Sequence, residues 1–344
     1  MIKYIGSKRT LVPEIVAAVQ SVPGVRTVAD LFSGTSRVGH ALKARGYRVL
    51  ANDQLAYAHV LARCYVEADL EAVERDAKRL IEELNALPGS PGYFTETFCL
   101  RSRFFQPHNG ERIDAIRAAI RRKDLAADLE AVLLVSLMEA ADRVDSTTGV
   151  QMAYLKRWAP RASNALALRL PALLPRAREG PGLATCLDAS DAAEGFAADV
   201  AYLDPPYNQH SYLGNYHVWE TLVRWDAPEV YGTACKRVDC RERRSPFNSR
   251  REFPAAFARL LASVKAPVLV VSFSDEGFLS REEIEACLRE RGEVHVIERD
   301  HRRYVGARIG IYNPRGEKVG RVGRLRNKEF LFVVVPPGTE LSSL

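Results

Sequence analysis

The chain has 344 residues, a formal net charge of +6, and apolar and charged fractions of 47% and 27%, which is typical of a globular protein with one or two domains. Because no apolar run could cross a bilayer and the first residues lack a signal-peptide core, we expect a cytoplasmic protein without membrane contact. The six cysteines are scattered, which argues against both a disulfide framework and a zinc site, so no metal is expected.

The first predicted elements are a strand, a helix and a second strand. Residues 26–32 form a short apolar run that ends in a glycine-rich turn, and residues 36–45 have helical spacing up to Gly46. Residues 47–51 are the next apolar run. This βαβ order predicts an α/β fold with a parallel sheet and a right-handed crossover.

The middle of the chain has a different pattern. Residues 56–87, 110–122 and 125–143 are rich in Ala, Leu, Glu and Arg at helical spacing, which predicts a mostly helical insertion. Strand–helix alternation then resumes. The predicted strands are residues 183–187, 199–203, 267–273, 293–298 and 329–335, and the predicted helices are residues 217–224, 253–264 and 281–291.

Basic residues are concentrated in two stretches. From Arg299 to Lys328 ten Lys and Arg face two acids, and residues 236–251 carry a second group of arginines. Such clusters suit a polyanion, whose counterions are released on binding. A merely solvated surface is the alternative reading of this pattern.

The motif Asp204-Pro205-Pro206-Tyr207 directly follows a predicted strand, at the end where open α/β sheets bind ligands. Its prolines fix φ and remove two backbone donors, which leaves a stiff turn with free carbonyls. Such a turn fits a flat heterocycle with an exocyclic amine: Asp204 and the Pro205 carbonyl accept the amine protons, and Tyr207 stacks on the ring. A strand-ending turn with a helix-capping aspartate is the alternative.

A second candidate site is the turn that opens the first predicted helix. Asp30 ends the first strand, and in the following Phe32-Ser33-Gly34 the glycine lets the backbone approach a ligand. Asp53 follows the second strand, where an acid can take ribose hydroxyls. Asp188 follows the third strand and either accepts from an adenine amine or caps the next helix. A generic βα turn is the alternative for this region.

Taken in order, these residues resemble the Dam-like family of DNA adenine-N6 methyltransferases. The segment Lys3-Tyr4-Ile5-Gly6-Ser7-Lys8, to which general physics assigns no site, resembles the family's motif before the first strand. The Phe-Ser-Gly-Thr-Ser turn resembles its cofactor loop, Asp53 its acid after the second strand, and the Asp-Pro-Pro-Tyr motif its catalytic motif. Cofactor loop, recognition region and catalytic motif follow in the family's alpha order. The likeness is good over residues 1–55 and 183–278 and loose between them.

The resemblance implies a Rossmann-like S-adenosylmethionine-dependent methyltransferase sheet in residues 1–55 and 183–344, with a mostly helical target-recognition insertion at residues 56–182. It implies S-adenosyl-L-methionine as cofactor, S-adenosyl-L-homocysteine as product, and a flipped adenine in double-stranded DNA as substrate. The implied catalytic residues are Asp204, Pro205, Pro206 and Tyr207. The implied cofactor contacts are Tyr4, Lys8, Asp30, Phe32, Ser33, Gly34, Asp53, Asp188 and Asp204.

One position departs from the family pattern. The family often has an aromatic-x-Gly-x-Gly turn, and Ser36 stands at the second glycine of that turn. Serine is a favoured residue just before a helix, so we expect Ser36 to cap the helix that follows.

Duplex DNA needs both phosphate contacts and base reading. We predict phosphate contacts in the C-terminal basic stretch, and groove contacts, or filling of the gap left by the flipped base, in an aromatic and basic segment near residue 155. Solvated or packed side chains are the alternative. The predicted DNA contacts are Arg302, Arg303, Arg308, Arg321, Gln151, Tyr154, Lys156, Arg157 and Trp158. We expect Tyr212, Tyr216 and Trp219 to pack a helix against the sheet rather than to touch substrate.

Other functions stay open at this point. An RNA adenine methyltransferase would share the catalytic turn, although the large insertion favours duplex DNA. Cytosine-N4 enzymes more often carry serine at the Asp204 position, and basic, aromatic-rich insertions disfavour a small-molecule substrate. A non-catalytic nucleic-acid-binding relative conflicts with intact Asp204, Tyr207 and Asp53. We expect a prokaryotic or phage-encoded enzyme and favour a monomer; the target sequence and a cognate restriction nuclease as partner stay open.

Overall fold

The computed structural model describes residues 1–302, 311–312, 318–320 and 326–342. Its strands, in chain order, are β1 (Thr27–Asp30), β2 (Arg48–Asn52), β3 (Leu183–Thr185), β4 (Val200–Leu203), β5 (Val230–Tyr231), β6 (Lys236–Arg237), β7 (Val268–Ser274), β8 (Glu293–Arg302), β9 (Ile311–Tyr312), β10 (Lys318–Gly320) and β11 (Arg326–Val335).

The helices are, in chain order, α1 (Val12–Ser21), α2 (Arg37–Ala44), α3 (Ala56–Ala62), α4 (Leu70–Ala86), α5 (Tyr93–Thr95), α6 (Pro107–Arg122), α7 (Ala127–Val144), α8 (Ala189–Gly195), α9 (Tyr212–Asn215), α10 (His217–Arg224), α11 (Phe253–Ser263) and α12 (Arg281–Arg289). Within the described ranges, none of these helices has both the length and the apolar character needed to cross a bilayer.

One seven-stranded sheet organises the chain, in the order β3-β2-β1-β4-β7-β11-β8. The strands from β3 to β7 run parallel, and β11 pairs antiparallel with both β7 and β8. The chain fills one half of the sheet outward from β1 and then returns to place β4 beside β1. The strand order therefore reverses between β1 and β4, which opens a crevice at their carboxyl ends. The Rossmann-like α/β sheet predicted from the sequence is confirmed.

The central strands form because both of their faces are covered by helices. Every residue of β4 and β7 is buried, which explains why they read as continuous apolar runs rather than as alternating ones. Successive side chains still point to opposite faces. Ala201 and Leu203 belong to one core, and Val200 and Tyr202 belong to the core on the other face.

Helices α3 to α7 lie between β2 and β3, and residues 56–182 contain no strand. The helical pattern that the sequence shows over residues 56–87 is interrupted in the structure. Helix α3 continues as a π-helical turn (Arg63–Glu67), and the chain is extended at Ala68 and Asp69 before α4 begins. The break is stabilised by the buried amine of Lys43, which donates to the Ala68 carbonyl at 2.8 Å and pairs with the Asp69 carboxylate at 3.1 Å.

The helical region is joined to the sheet through α3. Ala62 and Val66 belong to the same core as the sheet residues Val49 and Ala51, while the rest of α3 packs with α7 and α10. A separate core of aromatic side chains lies inside the helical region, where Phe94 contacts Phe98 and Phe105. A target-recognition region at residues 56–182 stays our proposal, with α3 shared between it and the sheet.

Candidate active site

A cleft opens where the strand order reverses, at the carboxyl ends of β1 and β4. Its empty space, open solvent at the mouth included, is about 1320 Å³. The predicted site residues that line it are Tyr4, Lys8, Asp30, Phe32, Ser33, Gly34, Asp53, Asp188, Asp204 and Pro206. The fold thus gathers every predicted cofactor contact around one space, although these residues come from five separate segments of the chain.

The loop after β1 is held by the carboxylate of Asp53, the residue that follows β2. Asp53 Oδ2 accepts from the Gly34 N–H at 2.9 Å, and Oδ1 accepts from the Leu55 N–H at 3.0 Å. Gly34 has φ +50, and a Cβ there would lie 3.4 Å from the Tyr4 ring, so glycine suits both its conformation and its surroundings. Burial raises the pKa of Asp53 to about 6. Its remaining lone pairs face the cleft as acceptors.

Asp30 is buried beneath this loop. Neither carboxyl oxygen accepts a well-formed hydrogen bond from the described residues. Burial, together with the carboxylates of Asp204 and Asp53, raises the pKa of Asp30 to about 8, and the nearby backbone N–H groups of Gly39 and Phe32 offset this only in part. A buried carboxyl group in this setting is suited to a cationic ligand, whose charge would favour the ionised form.

We expect Asp30→Asn to stabilise the ligand-free protein at alkaline pH. The pKa is about 8 in the folded chain and roughly 3.9 in an unfolded one. The contribution of Asp30 to stability is therefore complete below the unfolded value and is lost as pH rises through 8. Urea unfolding at pH 6 and pH 9 should show a larger gain for the variant at pH 9. An equal loss of stability at both pH values would contradict this account.

Asn52 joins the ends of three strands beside the cleft. Its buried side chain donates to the Leu31 carbonyl at 3.4 Å and to the Leu187 carbonyl at 3.2 Å, and it accepts from the Thr185 hydroxyl at 2.8 Å. Asp188, which follows β3, caps α8: its carboxylate accepts from the Ser190 N–H at 2.9 Å. The helix-cap alternative is thus confirmed for Asp188, whose side chain also lines the cleft.

Ser36 precedes α2, but the capping role expected for it is wrong. Its side chain makes no capping hydrogen bond, its hydroxyl is buried without a partner among the described residues, and its φ is +57. This is the left-handed region, which costs an L-residue about 1–2 kcal/mol. The backbone at this position has the conformation that glycine adopts freely, which explains physically why a second glycine suits such a turn.

Ser36→Gly should therefore raise the free energy of unfolding by about 1 kcal/mol, since it relieves the positive φ and removes an unpaired hydroxyl. Ser36→Ala removes the same hydroxyl but keeps the strained φ, so it serves as the matched control. Denaturant unfolding of the three proteins would separate the two effects. A gain in the alanine variant equal to that in the glycine variant would show that φ plays no part.

The Asp-Pro-Pro-Tyr motif follows β4 as predicted. The Asp204 carboxylate pairs at 3.0 Å with the amine of Lys8, whose side chain is 7% exposed. Burial raises the pKa of Asp204, and the Lys8 ammonium opposes that rise. Asp204 and Pro206 line the cleft. Tyr207 instead packs its ring against Phe273, with a centroid distance of 5.1 Å.

Lys8 links the motif to the far side of the sheet. Its Nζ lies 3.8 Å from Glu329 on β11 and 5.6 Å from the centroid of the Tyr207 ring. Burial lowers the pKa of Lys8, but the surrounding groups, above all Asp204, raise it well above its usual range. Lys8 therefore stays charged, and its amine points at the Asp204 carboxylate.

Sequence reasoning missed one aromatic side chain of the cleft wall. Tyr216 and Trp219 are buried in the core as expected, but Tyr212 lines the cleft and stacks on Tyr4 at 5.2 Å and 10°. Gly6 allows this contact, because a Cβ at its φ of +72 would lie 2.7 Å from the Tyr212 hydroxyl. The pairing of a glycine near the N-terminus with an aromatic residue after the Asp-Pro-Pro-Tyr motif is not visible without a structure.

The segment predicted to contact DNA divides by exposure. Lys156 and Arg157 are exposed, whereas Tyr154 packs edge-on against Phe104 at 5.4 Å, and Trp158 lies under the Arg103 guanidinium at 4.7 Å. Gln151 is 3% exposed, and its amide oxygen accepts from the Val218 N–H at 3.0 Å. The placement of Gln151 does not fit a groove contact: it satisfies the N-terminus of α10 from inside the protein.

Gln151→Ala should lower the free energy of unfolding by about 1–3 kcal/mol, because it leaves buried N–H groups of α10 without an acceptor. DNA affinity of the folded variant should be unchanged. Lys156→Ala, in the same segment but exposed, is the control and should show the reverse pattern. Thermal unfolding and DNA binding of both variants would test this; weak DNA binding by a stable Gln151→Ala protein would restore the groove contact.

The C-terminal phosphate contacts cannot be placed. Arg303, Arg308 and Arg321 lie outside the described residues, and Arg302 ends β8 without a described side chain. Two further groups of cleft residues were not predicted. They are Arg37, which donates to the Ser7 hydroxyl at 3.2 Å, and the segment from Arg243 to Asn248, which the sequence marked only as basic.

Comparison with known proteins agrees with this geometry. Residues 4–285 match the family described as D12 class N6 adenine-specific DNA methyltransferase. The type II methyltransferase M.NlaIII of Neisseria lactamica is 29% identical over 88% of this chain and 92% of its own length. M.CviAII of Paramecium bursaria Chlorella virus 1 is 30% identical over the same shares.

A third relative, M.FokI of Planomicrobium okeanokoites, is 32% identical over 84% of this chain. The match covers 47% of the length of that methyltransferase. Because the matched family acts on adenine in DNA, the RNA alternative receives no support. The match begins at Tyr4 and includes both the loop after β1 and the Asp-Pro-Pro-Tyr motif. The chain belongs to the D12 class of N6 adenine-specific DNA methyltransferases.

Proposed function

We propose that this enzyme moves the methyl group of S-adenosylmethionine to the exocyclic N6 amine of an adenine that has been flipped out of double-stranded DNA. The observation that carries the proposal is the position of the Asp204 carboxylate. The carboxylate lies in the cleft at the end of β4, next to the loop that follows β1. The Lys8 amine holds it there at 3.0 Å. A donor in that loop and an amine at Asp204 would share one space.

The residues around the loop suit S-adenosylmethionine. Asp30 is buried without a described hydrogen-bond partner, which favours a ligand with a cationic amine. Asp53 offers its free lone pairs to ribose hydroxyls, and Asp188 offers an acceptor for an adenine amine. When bound, the cofactor supplies a methyl group on a sulfonium, which is already activated, so the protein's task is positioning and charge stabilisation.

The substrate side of the cleft would orient the amine. Adenine N6 is a poor nucleophile because its lone pair is delocalised into the ring. Hydrogen bonds from the amine to Asp204 and to the Pro205 carbonyl would favour a pyramidal nitrogen with a localised lone pair. Burial raises the pKa of Asp204, which also makes it a better acceptor for the proton that the amine releases. Tyr207, whose ring packs against Phe273 at a centroid distance of 5.1 Å, would stack on the adenine ring.

The setting in the cell follows from the relatives rather than from the site. M.NlaIII and M.CviAII are named type II methyltransferases, which supports a restriction–modification role with a cognate nuclease. We propose a monomeric cytoplasmic enzyme whose residues 56–182 read the target sequence, with Lys156 and Arg157 at the DNA surface and the C-terminal arginines on phosphates.

Transfer of labelled methyl groups to unmethylated genomic DNA, followed by nucleoside analysis, tests this proposal, with total RNA as the control. Label in N6-methyladenine from DNA alone is the expected result, and it would justify sequencing for the target site. Label only in RNA would keep the Asp204 chemistry and move the substrate. Label in cytosine would overturn the adenine assignment.

A further inference from the structure

The basic stretch at residues 236–251 divides into two groups in the structure. Arg237 is buried and pairs with Asp226 at 2.7 Å and with Asp239 at 3.0 Å. Arg243 pairs with the fully buried Glu220 at 2.9 Å. Both guanidinium groups are held by carboxylates of the fold, although Arg243 also lines the cleft. The remaining arginines are exposed, and no described carboxylate lies within ion-pair distance of them: Arg241, Arg244, Arg250 and Arg251.

The exposed arginines lie on a segment, residues 241–251, that is attached to both walls of the cleft. Asn248 Nδ2 donates at 2.8 Å to the carbonyl of Asn208, directly after the catalytic motif. Phe247 is buried and packs edge-on against Phe32 of the loop after β1, at a centroid distance of 5.3 Å. The segment is therefore fixed relative to Asp204, and Arg244 itself lines the cleft.

Two of the guanidinium groups are oriented by aromatic rings. Arg241 lies 3.8 Å from the ring centroid of Tyr231, and Arg250 lies 5.5 Å from that of Phe278. Stacking holds the plane of a guanidinium while its edge keeps N–H donors in a fork. Such a fork matches the two free oxygens of a phosphodiester.

We propose that Arg241, Arg244, Arg250 and Arg251 bind phosphates of the target strand on either side of the flipped adenine. The inference rests on the proposed function, because a base that enters the cleft from a duplex leaves its flanking phosphates at the mouth. It assigns DNA contact to a surface apart from residues 151–158 and from the C-terminal basic stretch. The positive charge of these four arginines would also attract DNA electrostatically before the base flips.

The test is the salt dependence of binding to a fluorescent DNA duplex, measured for Arg241→Ala/Arg244→Ala and for a control with the same loss of charge. The control is Arg26→Ala/Arg45→Ala, two exposed arginines just before β1 and β2, at the edge of the sheet opposite the cleft and outside residues 56–182. Two lost phosphate contacts should reduce the slope of log Kd against log salt by about 1.8. Between 50 and 200 mM salt, the wild type should then lose about twelvefold more affinity than the variant.

Affinity for S-adenosylhomocysteine, measured by calorimetry on the same proteins, separates the alternatives. The expected result is an unchanged affinity for S-adenosylhomocysteine in the cleft variant and an unchanged salt slope in the control variant. A cleft variant that keeps the wild-type slope overturns the proposal, as does one that loses only affinity for S-adenosylhomocysteine. Failure of the wild type to methylate DNA would instead reject the proposed function, and the salt slopes would still report whether these arginines bind phosphate.

Discussion

Asp204→Ala should lower kcat for methyl transfer to DNA by at least about 10²–10³-fold, the loss seen when one group that stabilises a transition state is removed. Asp204 is the only acid of the Asp-Pro-Pro-Tyr motif, and its carboxylate lies in the cleft beside Pro206. Initial rates with saturating labelled cofactor and DNA would measure the effect. Near-normal turnover in the variant would reject Asp204 as the group that orients the amine.

The same change should also weaken the fold. Lys8 is 7% exposed and loses its 3.0 Å partner, which leaves only Glu329 at 3.8 Å. Breaking a buried ion pair from one side costs about 3–5 kcal/mol, and the second carboxylate should keep the loss near the lower value. Low activity in Asp204→Ala alone could therefore reflect unfolding.

A double variant removes this ambiguity. Lys8→Met/Asp204→Leu replaces both charges with apolar side chains of similar size, which is often neutral for stability. It should unfold at a denaturant concentration close to that of the wild type and still show no methyl transfer. If the double variant were as active as the wild type, the Lys8–Asp204 pair would have no part in the reaction.

The sequence was informative where function depends on residues close together in the chain. Asp30 ends β1 and Asp204 directly follows β4, and adjacent parallel strands end at the same edge of a sheet. That rule alone brings the two acids into one cleft. The sequence also placed Ser36 directly before a helix. It did not predict the left-handed φ of +57, because a serine before a helix normally caps it with an extended backbone.

Exposure was the property that the sequence could not supply. Gln151 and Lys156 share one polar, aromatic segment, yet the first is buried against α10 and the second is exposed. Arg237 and Arg241 belong to one basic stretch, yet the first is buried between Asp226 and Asp239 and the second is not paired with a described acid. The partner of Gln151 is the backbone of α10, and one partner of Arg237 is Asp226, outside the basic stretch. Tertiary packing determines which amide or basic side chain these groups bind.

Lys8→Met should move the acidic limb of the pH profile of kcat/KM to higher pH. Burial raises the pKa of Asp204 and the Lys8 ammonium opposes that rise, so without Lys8 the carboxylate takes up a proton at a higher pH. The nearby carboxylate of Glu329 then adds like-charge repulsion in the same direction. The variant should lose up to about 10²-fold in kcat/KM on the acidic side of its profile, because a larger fraction of Asp204 is protonated and its carboxylate is less firmly positioned.

Recovery at alkaline pH distinguishes this role from direct contact with the cofactor. Lys8→Arg keeps the charge beside Asp204 and should retain an acidic limb near that of the wild type, even if its shape lowers the rate. If Lys8→Met were slow to the same extent at every pH and bound S-adenosylhomocysteine weakly, Lys8 would act on the cofactor, as the resemblance implied. A limb displaced upward with unchanged affinity for S-adenosylhomocysteine would instead make Lys8 a positioning residue. Its amine would then hold the carboxylate at the end of β4 ionised and aimed into the cleft where the adenine amine must arrive.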